Sequence, residues 1–173
     1  RLALYDYMRK SHSKGFVISL SGGADSSTCA VLVAEMLKEA LNQLTIKEII
    51  EDNPFLEPIV NDKDFDTNNP YKDLIAYVLC CAYQGTGNSG EVTLNAAQEL
   101  AIQIGAEFHV WNIDTAVNHA TKTIEDVLKR KLSWQTDDLA LQNIQARSRS
   151  PYIWMLTNVK GALLITTSNR SEG

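Results

Sequence analysis

Apolar residues in this chain fall in two patterns: short unbroken runs, and longer stretches where they recur every three or four positions. Gly15-Phe16-Val17-Ile18 is a run of the first kind, rich in β-branched side chains, and it predicts a buried strand. Leu74–Ala82, Glu107–Ile113 and Gly161–Thr166 predict a second, third and fourth strand. Helices are predicted over Thr28–Leu41, Thr93–Ile104, Asp114 to Lys131 and Asp137–Lys160. Another is predicted over Leu2–Ser11, and a further short one over Thr45–Ile50. Val31, Leu32, Ala34, Met36 and Leu37 are apolar on more than one side, so their helix is expected to lie largely buried on a sheet. Gly105 is placed to stop its helix, and Pro151 to kink or interrupt the last one. The alternation of strand and helix predicts an α/β fold, a parallel sheet with helices on both faces and right-handed crossovers.

Residues 51–71 break this pattern. Pro54, Pro58 and Pro70 stand among many Asp and Asn residues with little periodicity, which predicts a surface insertion over 52–70, expected to be mobile. Asp62, Asp64, Asp66 and Asn68 imitate the opening of an EF-hand loop, but Thr67, Pro70 and Asp73 occupy the sixth, ninth and twelfth positions. A solvated acidic loop is the better reading.

The length of 173 residues suits one domain with a real core, and both ends look abrupt, as in a piece of a larger protein incomplete at its C-terminus. The net charge of −5 argues against a broad nucleic-acid-binding face. No run of about 20 apolar residues calls for a membrane. Cys29, Cys80 and Cys81 are odd in number and lack metal-ligand spacing, which points to buried thiols in a reducing, cytoplasmic setting. Adjacent in a strand, Cys80 and Cys81 are expected to point to opposite faces and serve packing. His109 and His119 have no partner at catalytic or ligand spacing and are assigned no role.

The chemistry concentrates in Ser19-Leu20-Ser21-Gly22-Gly23-Ala24-Asp25-Ser26-Ser27, between the first strand and the next helix. Glycines let backbone approach an anion, and the unpaired N–H groups of a helix's first turn, with its dipole, attract phosphate. No Gly-Lys-[Ser/Thr] follows, so this is not a Walker A loop. Ser21, Ser26 and Ser27 offer hydroxyls, and Asp25 offers a carboxylate that polyphosphate would repel unless Mg²⁺ lay between them. The stretch resembles the SGGxDS loop of the ATP pyrophosphatases, which cleave ATP between the α- and β-phosphates.

Three later features add to it. Tyr83–Glu91 is a polar, Gly-rich loop at the carboxyl end of the second strand, where an α/β sheet gathers ligands, though a plain connection reads as well for any one residue. Asn143 and Arg147, four apart, share a helix face suited to an anion or a ribose edge, or simply to solvent. Thr167-Ser168-Asn169-Arg170-Ser171-Glu172 is a second strand-to-helix junction with hydroxyls and a carboxylate. Asp114 reads as a helix N-cap.

Taken with SGGADS, the segments YQGTGNSGEVTLNAAQELA, LQNIQARSR and LLITTSNRSEG make the chain similar, from about Lys14 to Gly173, to NAD synthetase, and more to the glutamine-dependent type. The resemblance implies an adenine nucleotide alpha-hydrolase-like fold, a Rossmann-like three-layer sandwich. It implies ATP-dependent amidation of deamido-NAD to NAD through an adenylated intermediate, with ammonia free or from glutamine. By position it implies ATP contacts from Ser19, Leu20, Ser21, Gly22, Gly23, Ala24, Asp25, Ser26 and Thr167, with Asp25, Ser21 and Ser26 at the reacting phosphates. It implies Mg²⁺ on Asp25 and Glu172, and deamido-NAD contacts from Asn143, Arg147 and Glu172. It also implies a homo-oligomer and a glutaminase domain in the full-length protein, of which this chain holds no part. An ATP pyrophosphatase of the GMP synthetase type, or an ATP-binding module without catalysis, are the alternatives.

Overall fold

Residues 2–167 are described by the computed structural model, and their order is α1 (Leu2–Ser11), β1 (Phe16–Ser19), α2 (Ala24–Gln43), α3 (Ile46–Asp52), a 3₁₀ turn (Pro54–Leu56), α4 (Glu57–Val60), α5 (Pro70–Val78), β2 (Leu79–Gly85), α6 (Glu91–Ile104), β3 (Glu107–Asn112), α7 (Asp114–Leu128), α8 (Asp138–Arg147), α9 (Ser150–Lys160) and β4 (Leu163–Ile165). The sheet runs β3-β2-β1-β4, every pair parallel. The chain works outward from β1 to β3, then crosses back to place β4 on the other side of β1. That reversal opens a crevice at the carboxyl ends of β1 and β4.

Side-chain alternation along β1 divides the core. Phe16 and Ile18, with Leu20 beyond, face the larger cluster, where α1 brings Met8, α2 brings Val33 and Met36, α5 brings Leu74 and Val78, and α6 brings Ala97 and Ala101. Val17 faces the other way, with Cys80, Ala82 and Ile153 of α9. Helices therefore cover both faces of a parallel sheet, and Cys81 and Cys80 fall on opposite sides of it as alternation demands.

Four expectations need correction. The second strand is shorter at its start than the apolar run Leu74–Ala82 suggested, because Leu74–Val78 finish α5 and the strand begins at Leu79. A continuous apolar run has no period to separate a buried helix from a buried strand. Pro70 at the first turn and the spacing of Leu74, Ile75 and Val78 suit a helix. Helix α2 starts at Ala24, four residues before Thr28, since Gly23 is extended and serves as N-cap. Asp138–Lys160 is two helices; Pro151 sits in the first turn of the second, where its missing N–H costs nothing. Asp114 is not the N-cap of α7, which is Ile113; its Oδ2 instead accepts from Gly87 N at 2.7 Å and Asn112 Nδ2 at 3.0 Å.

Residues 51–71 are also less of a free loop than expected. Thr45 and Glu48 close a capping box at the start of α3. The buried Asn53 donates through Nδ2 to Tyr5 Oη and to the Ile49 carbonyl, and Tyr5 donates to Asp52. Leu56 is fully buried, and Phe55, Ile59, Phe65 and Tyr71 pack against the main core. The acidic run serves the backbone: Asp62 accepts from Asp64 N, Asp66 from Asn68 N, and Asp73 from Asp66 N.

Candidate functional site

A cavity of about 780 Å³ opens at the carboxyl edge of the sheet, where the ends of β1, β2 and β4 meet the start of α2 and the break between α8 and α9. Its floor is the loop after β1. Gly22 has φ +79°, and a Cβ there would lie 2.2 Å from the Thr93 carbonyl oxygen, so no side chain fits as the loop passes α6. Gly23 carries no capping side chain, which leaves the first N–H groups of α2 without a helical acceptor.

Two serines brace the bend. Ser26 is buried; its Oγ accepts from Ser21 N at 3.2 Å, donates to the Gly23 carbonyl at 3.2 Å, and lies 3.1 Å from Ser21 Oγ. Ser21 Oγ also accepts from Gly23 N at 3.3 Å. Asp25 stands exposed in the first turn of α2, on the cavity wall, and among the described residues no side chain engages its carboxylate. A single hard carboxylate beside hydroxyls and helix N–H groups is a donor set compatible with Mg²⁺ shared with phosphate oxygens.

Of the residues picked from sequence, Ser19, Ser21, Gly23, Ala24, Asp25, Ser26 and Thr167 share this cavity. Leu20 does not: its side chain is wholly buried in the main core, and its N–H donates to the Ala82 carbonyl at 2.8 Å. Gly22 supports the loop from behind, against α6. Asn143 and Arg147 do share a helix face, but Arg147 Nη1 donates to Asn143 Oδ1 at 2.7 Å, and both stand exposed away from the described cavity wall. Glu172 lies outside the described residues, as does the junction from Ser168 onward.

Sequence reasoning missed Arg149. Its Nε donates to the Gln84 carbonyl and its Nη1 to the Gln145 carbonyl, which fixes the guanidinium at the cavity wall. The signal was the second arginine of Arg147-Ser148-Arg149; helical spacing favoured Arg147 because Pro151 marked an interruption without fixing it at Ser148-Arg149. Gln84 lies in the Tyr83–Glu91 stretch expected to form a wall of the site, though it was not singled out there. It is buried at the end of β2, and its Nε2 donates to Ser19 Oγ at 3.1 Å. Tyr83 Oη and Thr93 Oγ1, 2.9 Å apart, close the α6 side. Burial pushes the Cys80 and Cys81 thiols up to about 12, so neither is a nucleophile.

A parallel sheet in this order, with a Gly-Gly turn opening a helix at its crevice, defines the class: an adenine nucleotide alpha-hydrolase-like domain. The family model for NAD synthase matches residues 1–58 and 77–173, and the chain belongs to that family. It is 33% identical over 189 residues to the glutamine-dependent NAD(+) synthetase of Oryza sativa subsp. indica, covering 98% of this chain and 25% of that protein. Against the glutamine-dependent NAD(+) synthetase of Macaca fascicularis it is 31% identical over 180 residues, covering 95% of this chain and 25% of the relative. The crystal structure of a glutamine-dependent NAD(+) synthetase from Cytophaga hutchinsonii superposes with a TM-score of 0.87 and 51% identity, over 98% of this chain and 30% of that one. The chain thus spans about a quarter of the length of the curated relatives it matches. The family model leaves residues 59–76 unmatched, within and just beyond the acidic segment.

Proposed function

We propose that this chain is the amide-forming part of a glutamine-dependent NAD synthetase. The observation that carries the proposal is the cavity shared by the Gly22-Gly23 turn, Asp25 and Thr167. The N–H groups at the start of α2 receive the departing phosphates of ATP, and Ser21 and Ser26 hold the turn in the shape those phosphates require. Asp25, with Glu172 from the second junction, is the ligand set for Mg²⁺, which when bound supplies the charge neutralisation that attack on a polyanion needs. Arg149 adds a fixed positive charge to the wall of the same cavity.

The nicotinate carboxylate of deamido-NAD attacks the α-phosphorus of ATP; a carboxylate–phosphate bond forms and the bond to pyrophosphate breaks. Ammonia then attacks the activated carbonyl, AMP leaves, and the extra proton on nitrogen passes to solvent, giving NAD. No side-chain nucleophile is needed, so the residues' work is alignment and electrostatics. Asn143 and Arg147, outside the cavity, are assigned to the distal part of the dinucleotide. Ammonia comes from glutamine through a glutaminase domain of the full-length protein, or free from solution. A homo-oligomer and a cytoplasmic location complete the reading. Among the described residues no helix is long and apolar enough to cross a membrane.

The test is turnover of full-length protein with ATP, Mg²⁺ and glutamine, offered either deamido-NAD or xanthosine monophosphate. Pyrophosphate and NAD formed with the first alone are expected. Turnover with the second would move the assignment to the GMP synthetase type, and ATP binding without pyrophosphate from either would leave a binding module.

A further inference from the structure

At the end of the sheet opposite the ATP cavity, three donors meet that no spacing in the sequence pairs. The parallel register sets Cys80 of β2 beside Glu107 of β3, and His109, two residues on, shares the face of Glu107. The Cys80 sulfur, a Glu107 oxygen and a His109 ring nitrogen all lie within 4.8 Å of one another. His109 Nε2 is 2.8 Å from Glu107 Oε1, while Lys160 Nζ holds the other oxygen, Oε2, at 2.5 Å. His109, given no partner from sequence, therefore has one.

We propose that Cys80, Glu107 and His109 form a binding site for a divalent transition metal of the zinc type. Sulfur, imidazole and a single carboxylate oxygen suit Zn²⁺ and its neighbours, and they do not suit Ca²⁺ or Mg²⁺, which take oxygen. The donors stand on two hydrogen-bonded strands, so the backbone holds them in place before any ion arrives. Three protein ligands leave a fourth position open. Access exists: Cys80, Glu107 and Lys160 line a second cavity of about 790 Å³ at the amino ends of the strands, and the His109 side chain is 44% exposed. Binding replaces the His109–Glu107 hydrogen bond and releases the thiol proton to solvent as the sulfur–metal bond forms. Thiolate and carboxylate then balance the ion's two charges. The Lys160 ammonium, kept on Oε2, orients the carboxylate but opposes the incoming cation.

The experiment is Co²⁺ titration of the chelator-treated full-length protein, read by absorbance. Wild type is expected to gain a thiolate-to-cobalt charge-transfer band in the near ultraviolet that Cys80→Ser lacks; Co²⁺ bound near Asp25, an oxygen site, gives no such band. His109→Ala, at an exposed position, should weaken the apparent affinity about tenfold or more. Lys160→Met should tighten it. A folded wild type without the band, an equal band in Cys80→Ser, or unchanged affinity in His109→Ala overturns the proposal. If Cys80→Ser fails to fold, the opposite shifts of the other two variants decide it.

Discussion

A methyl group on Gly22 would strike the carbonyl of Thr93, and φ there is +79°, so two separate penalties forbid a side chain at this residue. Gly22→Ala is expected to cost ~1–3 kcal/mol from the backbone conformation alone, with further loss as the loop lifts away from α6. Thermal unfolding measures the cost, and ATP affinity should fall with it. Asp25 behaves differently, because its exposed carboxylate holds nothing in the fold together. Asp25→Ala in the full-length enzyme should keep the wild-type melting temperature while pyrophosphate release drops by about 10²-fold or more. Normal turnover in that variant would remove Asp25 from the metal site. The loop was legible residue by residue because hydroxyls, glycines and a carboxylate crowd into nine positions between an apolar run and a helix. Leu20 shows the limit of that reading: adjacency in the motif said nothing of its side chain, which alternation sends into the core.

At the scale of elements, the break between α8 and α9 decides which arginine meets the cavity. Arg147 ends α8 facing Asn143, and Arg149, two residues later, turns inward to the Gln84 carbonyl. Arg149→Met should therefore lower kcat/KM by about 10²-fold, and Arg147→Met by much less; steady-state kinetics of the two variants side by side checks the order. The segment from 51 to 60 makes a second case. A solvated insertion would tolerate any change, yet Leu56 is 1% exposed and sits in the main core. Leu56→Ala is expected to cost ~2–4 kcal/mol, read by denaturant unfolding, while Asp64→Ala, in an exposed turn, should be neutral. The acidic residues that marked the stretch as loop were real signals for the turns from 61 to 69. They concealed the apolar side chains, Phe55, Leu56, Ile59 and Phe65, that tie the segment to the core.

For the whole molecule, titration sets the limits of stability on both sides of neutrality. Burial raises the Glu107 carboxyl, but hydrogen bonds from Lys160 and His109 outweigh it and hold the group below its usual range. Arg130, with the Ser133 N–H and the Thr136 hydroxyl, holds Asp137 well below the usual carboxylate range where it clasps the turn between α7 and α8. Groups lowered in the folded state contribute fully above their unfolded values, so this support persists above pH ~5 and is lost as pH falls through ~4 and below. The buried thiols act in the other direction. Raised to about 12, Cys80 and Cys81 stay protonated in the fold while an unfolded thiol ionises near pH ~8.5, so stability declines from there upward. Melting temperatures across pH should form a plateau between these limits, and Asp137→Asn should flatten part of the acid slope.

The order of strands and helices, the parallel sheet and the Gly22-Gly23 turn were determined by the sequence itself, since each is local: periodicity, a buried run, and a cluster of small polar residues at one junction. Tertiary structure decided what depends on register and approach. It brought Thr167 to the same cavity as Asp25, set Arg149 at that cavity's wall, and drew Leu74–Val78 into a helix. It also joined Cys80 to Glu107 and His109 over a gap in the chain that no local spacing could bridge. Pairing between distant strands fixes those neighbours, and a one-residue slip would scatter them to opposite faces.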